Sequence, residues 1–422
     1  MREMKDSGFE WIGEIPVNWE VDKLKFHLKR NEPRNPGDTV VLSLYRELGV
    51  IPKDSRDDNH NVTSEDTSKY KYVQPGDFVI NKMKAWQGSV AVSEYEGIVS
   101  PAYFIYKFTD GAFYRRYFHY LLRSCYKDEF MRLSGGIRVG QWDLPSVALD
   151  NTAVIIPPMK EQKSIAAFID VKCAEIDALT ADIQTQIDTL EQYKRSIITE
   201  AVTKGLNPDV EMKDSGTPWC PLIPVHWKYA NPKALFTQRL DRAYPGDKQL
   251  TASQEYGVIY QDEYMELTGT KIVTVMKDFS ILKHVEPNDF VISMRSFQGG
   301  LEYSERRGSI SSAYVMLIPN NEYVYPPFYR WFFKSSKYIN AIQSTSNLVR
   351  DGQAMRYANF AQVPLFIIPL DEQKQISEYL DEKVSKIDEI LKSKKYQLEI
   401  LAEYKKSLIY EYVTGKKEVP AI

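Results

Sequence analysis

The pentapeptide Met4-Lys5-Asp6-Ser7-Gly8 returns unchanged as Met212-Lys213-Asp214-Ser215-Gly216, 208 positions later. The echo continues on the same offset. Trp11 is answered by Trp219, and Ile15-Pro16-Val17-Asn18-Trp19 by Ile223-Pro224-Val225-His226-Trp227. Further along, Pro75-Gly76-Asp77-Phe78-Val79-Ile80 is matched by Pro287-Asn288-Asp289-Phe290-Val291-Ile292. Glu161-Gln162-Lys163 is matched by Glu372-Gln373-Lys374, and Tyr193-Lys194-Arg195-Ser196 by Tyr404-Lys405-Lys406-Ser407. A period of roughly 210 residues is far too long for a solenoid or propeller repeat. The chain is a duplicated domain pair.

Each copy has two parts. The first mixes short strand-like runs (77–80, 98–108, 289–294, 311–318) with Gly, Pro and Asn punctuation, and carries helical stretches at 114–130 and 327–344. This predicts an α/β (α+β) globular head. In the second part proline stops, after Pro157-Pro158 and after Pro369. There Ile169, Ile176, Ile183, Leu190 and Ile197 fall every seven residues, interleaved with Cys173, Thr180, Ile187 and Lys194. In the second copy Leu380, Ile387, Lys394, Leu401 and Leu408 keep the step, interleaved with Val384, Leu391, Leu398 and Lys405. Alternating spacings of four and three describe a coiled-coil seam, and its polar members fix register and orientation. The expected division is 1–157 first head, 158–207 central helix, 208–369 second head and 370–422 C-terminal helix. If the two helices pair antiparallel, the molecule is a dumbbell with a pseudo-two-fold axis, and its second helix ends beside the chain start.

Bulk composition bounds the function. At 422 residues, with net charge −3 and a pI near 6.1, the chain lacks the overall basic footprint of many nucleic-acid binders, although a local patch can act inside a neutral chain. Three widely spaced cysteines without a CxxC argue against a disulfide framework or zinc site and fit a reducing cytoplasm. No apolar run approaches the ~18 residues a membrane span needs, and the charged start is no signal peptide. The five histidines have no metal-ligand spacing, and neither a P-loop nor GxSxG occurs. Tyr325-Pro326-Pro327-Phe328 lacks the polar residue that a Pro-Pro-aromatic methyltransferase motif needs ahead of its prolines. We therefore expect no catalytic residue and no metal in this chain.

Several stretches, with their echoes in the second copy, carry a family resemblance. They are WIGEIPVNWE (11–20), GDFVINKMKAWQGSVAVSEYEGIVSPAY (76–103), SGGIRVGQ (134–141), IIPPMKEQKSIAAFID (155–170) and LEQYKRSIITEAVTKG (190–205). Together they resemble the specificity subunit of type I restriction–modification enzymes, over essentially the whole chain. The resemblance implies a DNA-reading subunit, not an enzyme by itself. Its two target-recognition domains would each read one half of a split site on double-stranded DNA. The helices would set the spacer and dock methyltransferase subunits, two of them, with two restriction–translocation subunits beyond. S-adenosylmethionine, ATP and Mg²⁺ would belong to those partners. The rival expectation is a non-catalytic coiled-coil scaffold whose heads bind proteins.

Candidate DNA contacts lie where the heads differ. Lys82, Lys84 and Gln87 face Arg295 and Gln298 in segments that interleave cations, an aromatic and a Gln beside a Gly. Arg and Lys suit guanine edges or phosphate, and Gln suits an adenine edge. The aromatics Trp86 and Phe297 serve equally well as core. Arg138 and Gln141, with Arg350 and Gln353, share an Arg-x-Gly-Gln pattern on a probable loop. Asp6, Trp11 and Trp19 recur identically as Asp214, Trp219 and Trp227, which argues for structural roles, since heads that read different bases should differ there.

Overall fold

The computed structural model describes residues 2–37, 39–46, 48–55, 63–64, 66–136, 142–272, 274, 279–293, 296–345 and 355–420. By contacts the chain forms two compact units, one of Met1–Ile183 with Tyr396–Ile422 and one of Gln184–Lys395. This differs from a division into four consecutive segments. Each long helix is divided between the units, so each unit holds one head and a piece of both helices.

The first head is built on a four-stranded sheet in the order Leu28–Arg30, Tyr103–Phe108, Phe78–Asn81, Val90–Val92. The second repeats it strand for strand as Phe236–Arg239, Val315–Pro319, Phe290–Ile292, Glu302–Tyr303. Register repeats too, with Ile105 opposite Val79 and Met316 opposite Val291. Four smaller pairings also recur. Met4–Asp6 pairs with Glu14–Pro16, Glu20–Lys23 with Ala153–Ile156, Leu42–Tyr45 with Gly49–Pro52, and Lys71–Val73 with Gly97–Val99. Their counterparts are Met212–Asp214 with Leu222–Pro224, Lys228–Ala230 with Leu365–Ile367, Leu250–Ser253 with Gly257–Tyr260, and Lys283–Val285 with Gly308–Ile310. Every pairing between named strands among the described residues is antiparallel, and parallel contact is confined to isolated bridges such as Val41 with Ile98 and Gln249 with Ser309, which places the heads in the α+β class.

The sheets are buried on both faces, with alternate side chains serving different cores. In the first head Phe78, Ile80, Phe104 and Tyr106 enter the main core with Tyr117, Phe118 and Phe130. Val79, Ala91 and Ile105 face a smaller core under the Leu42–Tyr45 hairpin. The second head repeats the small core with Leu250, Val258, Val285, Val291 and Met316. Close approach there demands glycine: a Cβ on Gly97 would stand 2.4 Å from the Val40 carbonyl oxygen, and one on Gly308 2.3 Å from that of Lys248.

The long helices span Met159–Lys204 and Leu370–Val413, 46 and 44 residues. Each stops at a glycine with positive φ, Gly205 at 76° and Gly415 at 73°, where an L side chain would be strained. Of the seam residues, Ile169, Ile176, Ile183, Ile197, Leu380, Ile387, Leu391 and Leu408 are buried, while Leu190, Leu398 and Leu401 are half-buried. Within each unit the helix segments run antiparallel. In the first, Phe168 lies 4.5 Å from Tyr412 by ring centroids and Asp177 pairs with Lys405 at 2.5 Å. In the second, Glu191 lies 3.7 Å from Lys395 and Lys194 pairs with Asp388 at 2.5 Å. Thus two of the polar seam positions bond across the pair, and the two tight bridges are repeat mates. The second helix ends against the first head, with Tyr117 Oη donating to the Val413 carbonyl at 2.8 Å.

These bridges give a register test. Lys194→Asp alone should destabilise the second unit by about 1 kcal/mol, because like charges then oppose, and adding Asp388→Lys should recover most of the loss. Denaturant unfolding of the four species gives the coupling. Additive losses would contradict the pairing.

Candidate nucleic-acid interface

Where the strand Phe78–Asn81 ends, the chain makes a tight turn. Asn81 accepts from the Met83 and Lys84 amides, at 3.2 Å through its side chain and 2.9 Å through its carbonyl. A single 3-10 turn, Ala85–Gln87, follows and packs on the helix Lys127–Leu133. Ala85 is buried and anchors the turn, whereas Lys84 is exposed and Gln87 half-exposed. Trp86 is half-buried rather than core. Its indole N–H donates to the Met83 carbonyl at 3.1 Å and its ring lies 5.6 Å from that of Trp142. Lys82 is committed to Asp143 at 2.8 Å, which weakens it as a contact for DNA phosphate or base.

Arg138 and Gln141 fall outside the described residues, but the residues on either side of 137–141 are placed. Gly135 and Asp143 exchange backbone hydrogen bonds at 3.2 and 2.9 Å, holding the two sides of this stretch together. Leu144 N then donates to the Lys82 carbonyl at 3.0 Å. The fold therefore brings the residues that flank 137–141 against the 82–88 turn, two stretches that sequence separates by about a third of a head.

The second head repeats the turn and the helix beneath it. Arg295, Arg350 and Gln353 lie outside the described residues, as does the Phe297 side chain, while Gln298 is exposed. A helical turn, Ser296–Gly299, packs on the helix Ser336–Ser344. Past that helix, Asn359 Nδ2 donates to the Thr345 carbonyl at 3.0 Å, joining the two sides of residues 346–354.

Sequence reasoning missed a third part of this corner, the tip of the hairpin formed by Leu42–Tyr45 and Gly49–Pro52. Arg46 is exposed there, and its guanidinium donates to the Gln87 side-chain oxygen. The Arg46 carbonyl in turn accepts from Arg123, which also reaches the Val90 carbonyl at 3.3 Å. The signal was available, since LSLYRELGVI (42–51) aligns with LTASQEYGVI (250–259) and places Arg46 opposite Gln254.

His119 supports this tip, with Nδ1 accepting from the Val92 amide at 3.3 Å. Burial, then the Arg123 and Arg116 cations, push its pKa down from 6.5 to about 3. Between those two values the unfolded chain binds a proton that the folded head does not. Stability is therefore full above pH 6.5 and falls as the pH drops toward 3. We expect the first unit to lose roughly 2 kcal/mol between pH 7 and 5 from this group alone. His119→Gln should remove that part of the slope in denaturant unfolding; an unchanged slope would contradict it.

Among the described residues no group of three or more His, Cys, Asp or Glu is placed to hold a metal ion, and no helix is long and apolar enough to cross a membrane.

Residues 16–189 match the family model described as the type I restriction modification DNA specificity domain. The chain is 23% identical over 431 aligned residues to the putative type I restriction enzyme MjaX specificity subunit of Methanocaldococcus jannaschii, covering 97% of this chain and 96% of that protein. It is 22% identical to the EcoBI specificity subunit of Escherichia coli, over 59% of this chain and 55% of that one. The fold is similar to a chain from a structure describing complex assembly and conformational transition of the type I R-M system. The TM-score is 0.70 at 12% identity, with 96% of this chain and 99% of that chain covered. It is also similar to the HsdS subunit from Thermoanaerobacter tengcongensis, with a TM-score of 0.52 at 13% identity over 96% and 98% of the two chains.

Proposed function

We propose that this chain, which belongs to the specificity-subunit family of type I restriction–modification enzymes, is the DNA-reading component of such a complex. Each head reads one half of a bipartite site in double-stranded DNA, and the helix pair sets the spacer between the halves. The observation that carries this reading is the corner of hairpin tip and short turn built in both heads, with the pairing of Gly135 and Asp143 closing beside the turn in the first. The scaffold repeats while its polar residues change, as two readers of different half-sites require. Holding both heads in one chain makes the second binding event local once the first has occurred, so the pair gains affinity through effective concentration.

The chain works with the other restriction–modification subunits. Two methyltransferase subunits dock on the helices, and two restriction–translocation subunits join them. S-adenosylmethionine, ATP and Mg²⁺ act in those partners, and this chain adds no catalytic group of its own. The family match is to a DNA specificity domain, which disfavours heads that bind proteins.

The test uses the complex assembled with its modification subunits. It should bind DNA carrying its site far more tightly than scrambled DNA at the same salt concentration. Arg138→Ala combined with Arg350→Ala should weaken the specific complex by roughly tenfold or more. Equal affinity for both DNAs would overturn the function, and an unaltered double variant would overturn the two arginines alone.

A further inference from the structure

The hairpin tips of the two heads correspond pair for pair, Tyr45 facing Gly49 as Ser253 faces Gly257. Each closes over three residues, Arg46-Glu47-Leu48 in the first head and Gln254-Glu255-Tyr256 in the second. In both, the first of the three meets the short turn. Arg46 donates to Gln87, and Gln254 lies against Gly299, where a Cβ would stand 2.6 Å from its amide carbon and nitrogen. The first tip is also braced from beneath, because Arg123 binds the Arg46 carbonyl and reaches the carbonyl of Val90 in the sheet.

We propose that position 46 and its repeat mate 254 are base-reading positions, Arg46 selecting a guanine in one half-site and Gln254 an adenine in the other. The inference rests on the DNA-reading role proposed above. A guanidinium presents only donors, in a planar fork that matches the N7 and O6 acceptors of guanine. Because Arg46 donates to the oxygen of Gln87, that pair offers an incoming base mainly N–H groups, and the exocyclic amine of adenine would find a donor instead of an acceptor. A glutamine carries one acceptor and one donor group, the complement of the adenine N6 amine and N7. One position on a duplicated scaffold thus carries two different donor–acceptor patterns. Lys84 and the cations nearby supply phosphate attraction, which positions the head without choosing a base.

The test expresses the whole chain with its modification subunit in a host free of other DNA methylation and maps methylated motifs on native DNA. Wild type, Arg46→Gln, Arg46→Lys and Gln254→Arg are compared. Arg46→Gln should switch one position of one half-site from guanine to adenine, a change of roughly ten- to a hundredfold in preference, with the other half-site and spacer unaltered. Arg46→Lys keeps a cation without the fork and should relax that same position. Gln254→Arg should move one position of the other half-site from adenine to guanine. If wild type methylates a bipartite motif and that motif persists unchanged in Arg46→Gln and Gln254→Arg, the base-reading assignment is wrong and the DNA-reading role stands. No motif with wild type would overturn the role itself. If Arg46→Gln abolishes methylation, Gln254→Arg decides alone, by gaining guanine or failing to. Loss of all methylation in both also overturns the assignment.

Discussion

Replacing Gln162 by leucine should destabilise the first unit by about 3 to 6 kcal/mol. Gln162 is fully buried in the first turn of the long helix Met159–Lys204. Its Nε2 donates to the carbonyls of Ala112 at 2.7 Å and Pro157 at 2.8 Å, and its oxygen accepts from the Tyr114 amide at 2.7 Å. Leucine fills nearly the same space but leaves one buried N–H and two carbonyls unpaired, each costing about 1–3 kcal/mol, with partial relaxation. The repeat makes the test a double one. Gln373 binds the Tyr323 and Ile368 carbonyls at 2.7 and 2.8 Å and the Tyr325 amide at 2.8 Å. Gln373→Leu should therefore cost the second unit a similar amount. Denaturant unfolding of both variants checks this, and a loss below about 1 kcal/mol in either would contradict the clamp. Beside each glutamine, a fully buried tryptophan donates to the preceding glutamate: Trp19 to Glu161 at 2.9 Å and Trp227 to Glu372 at 3.0 Å. Each head is thus locked to the start of its own long helix, so a change in helix length should carry to the head as a displacement.

Lengthening both helices by one heptad should change the DNA motif itself. Seven residues inserted after Ile183 and seven before Tyr396 preserve the seam and fall at the boundary between the two units. At 1.5 Å per residue each insertion adds about 10.5 Å, or about three base pairs of DNA at 3.4 Å per pair. The proposed ruler predicts a methylated motif with both half-sites unchanged and a spacer longer by about three base pairs. Retained methylation with the original spacer would show that something other than helix length sets the distance. Inserting into one helix alone should break the match between the paired segments and abolish methylation.

How far the sequence carried the account depends on the length of each element. The long helices were legible because a helix of 46 residues must bury one stripe along its whole length, and Ile169, Ile176 and Ile183 mark that stripe every seven residues. The structural reading of Trp19 and Trp227 likewise agrees with their full burial. The heads were far less legible. Their strands run three to six residues in the first head, and all four residues of Phe78–Asn81 are buried, so no inside–outside alternation marks the strand. The run 98–108 read as one strand, but the chain turns at 101–102 and sends Gly97–Val99 and Tyr103–Phe108 to different partners. Unit boundaries were obscured because Ile165, Ile169 and Leu408 of the long helices complete the first head's own core.

The candidate interface was legible in part. Repeat comparison singled out the turn and the Arg-x-Gly-Gln stretch, and folding places the turn against Leu144, just past that stretch, in the first head. It did not foresee that Lys82 pairs with Asp143, which lies too far along the chain for spacing to reveal. It passed over Arg46, although the alignment of 42–51 with 250–259 sets it opposite Gln254, because nothing in that alignment ties the position to the turn until the contact with Gln87 is known.

The central claim is that two heads in one chain read two separated half-sites. Its most direct test is sequencing native DNA from a methylation-free host that carries this chain with its modification subunit, beside a host carrying the modification subunit alone. The account predicts methylation at a bipartite motif, two defined half-sites flanking an unspecified spacer, only when this chain is present. A soluble assembled complex that methylates nothing, or that methylates one uninterrupted motif, would contradict it.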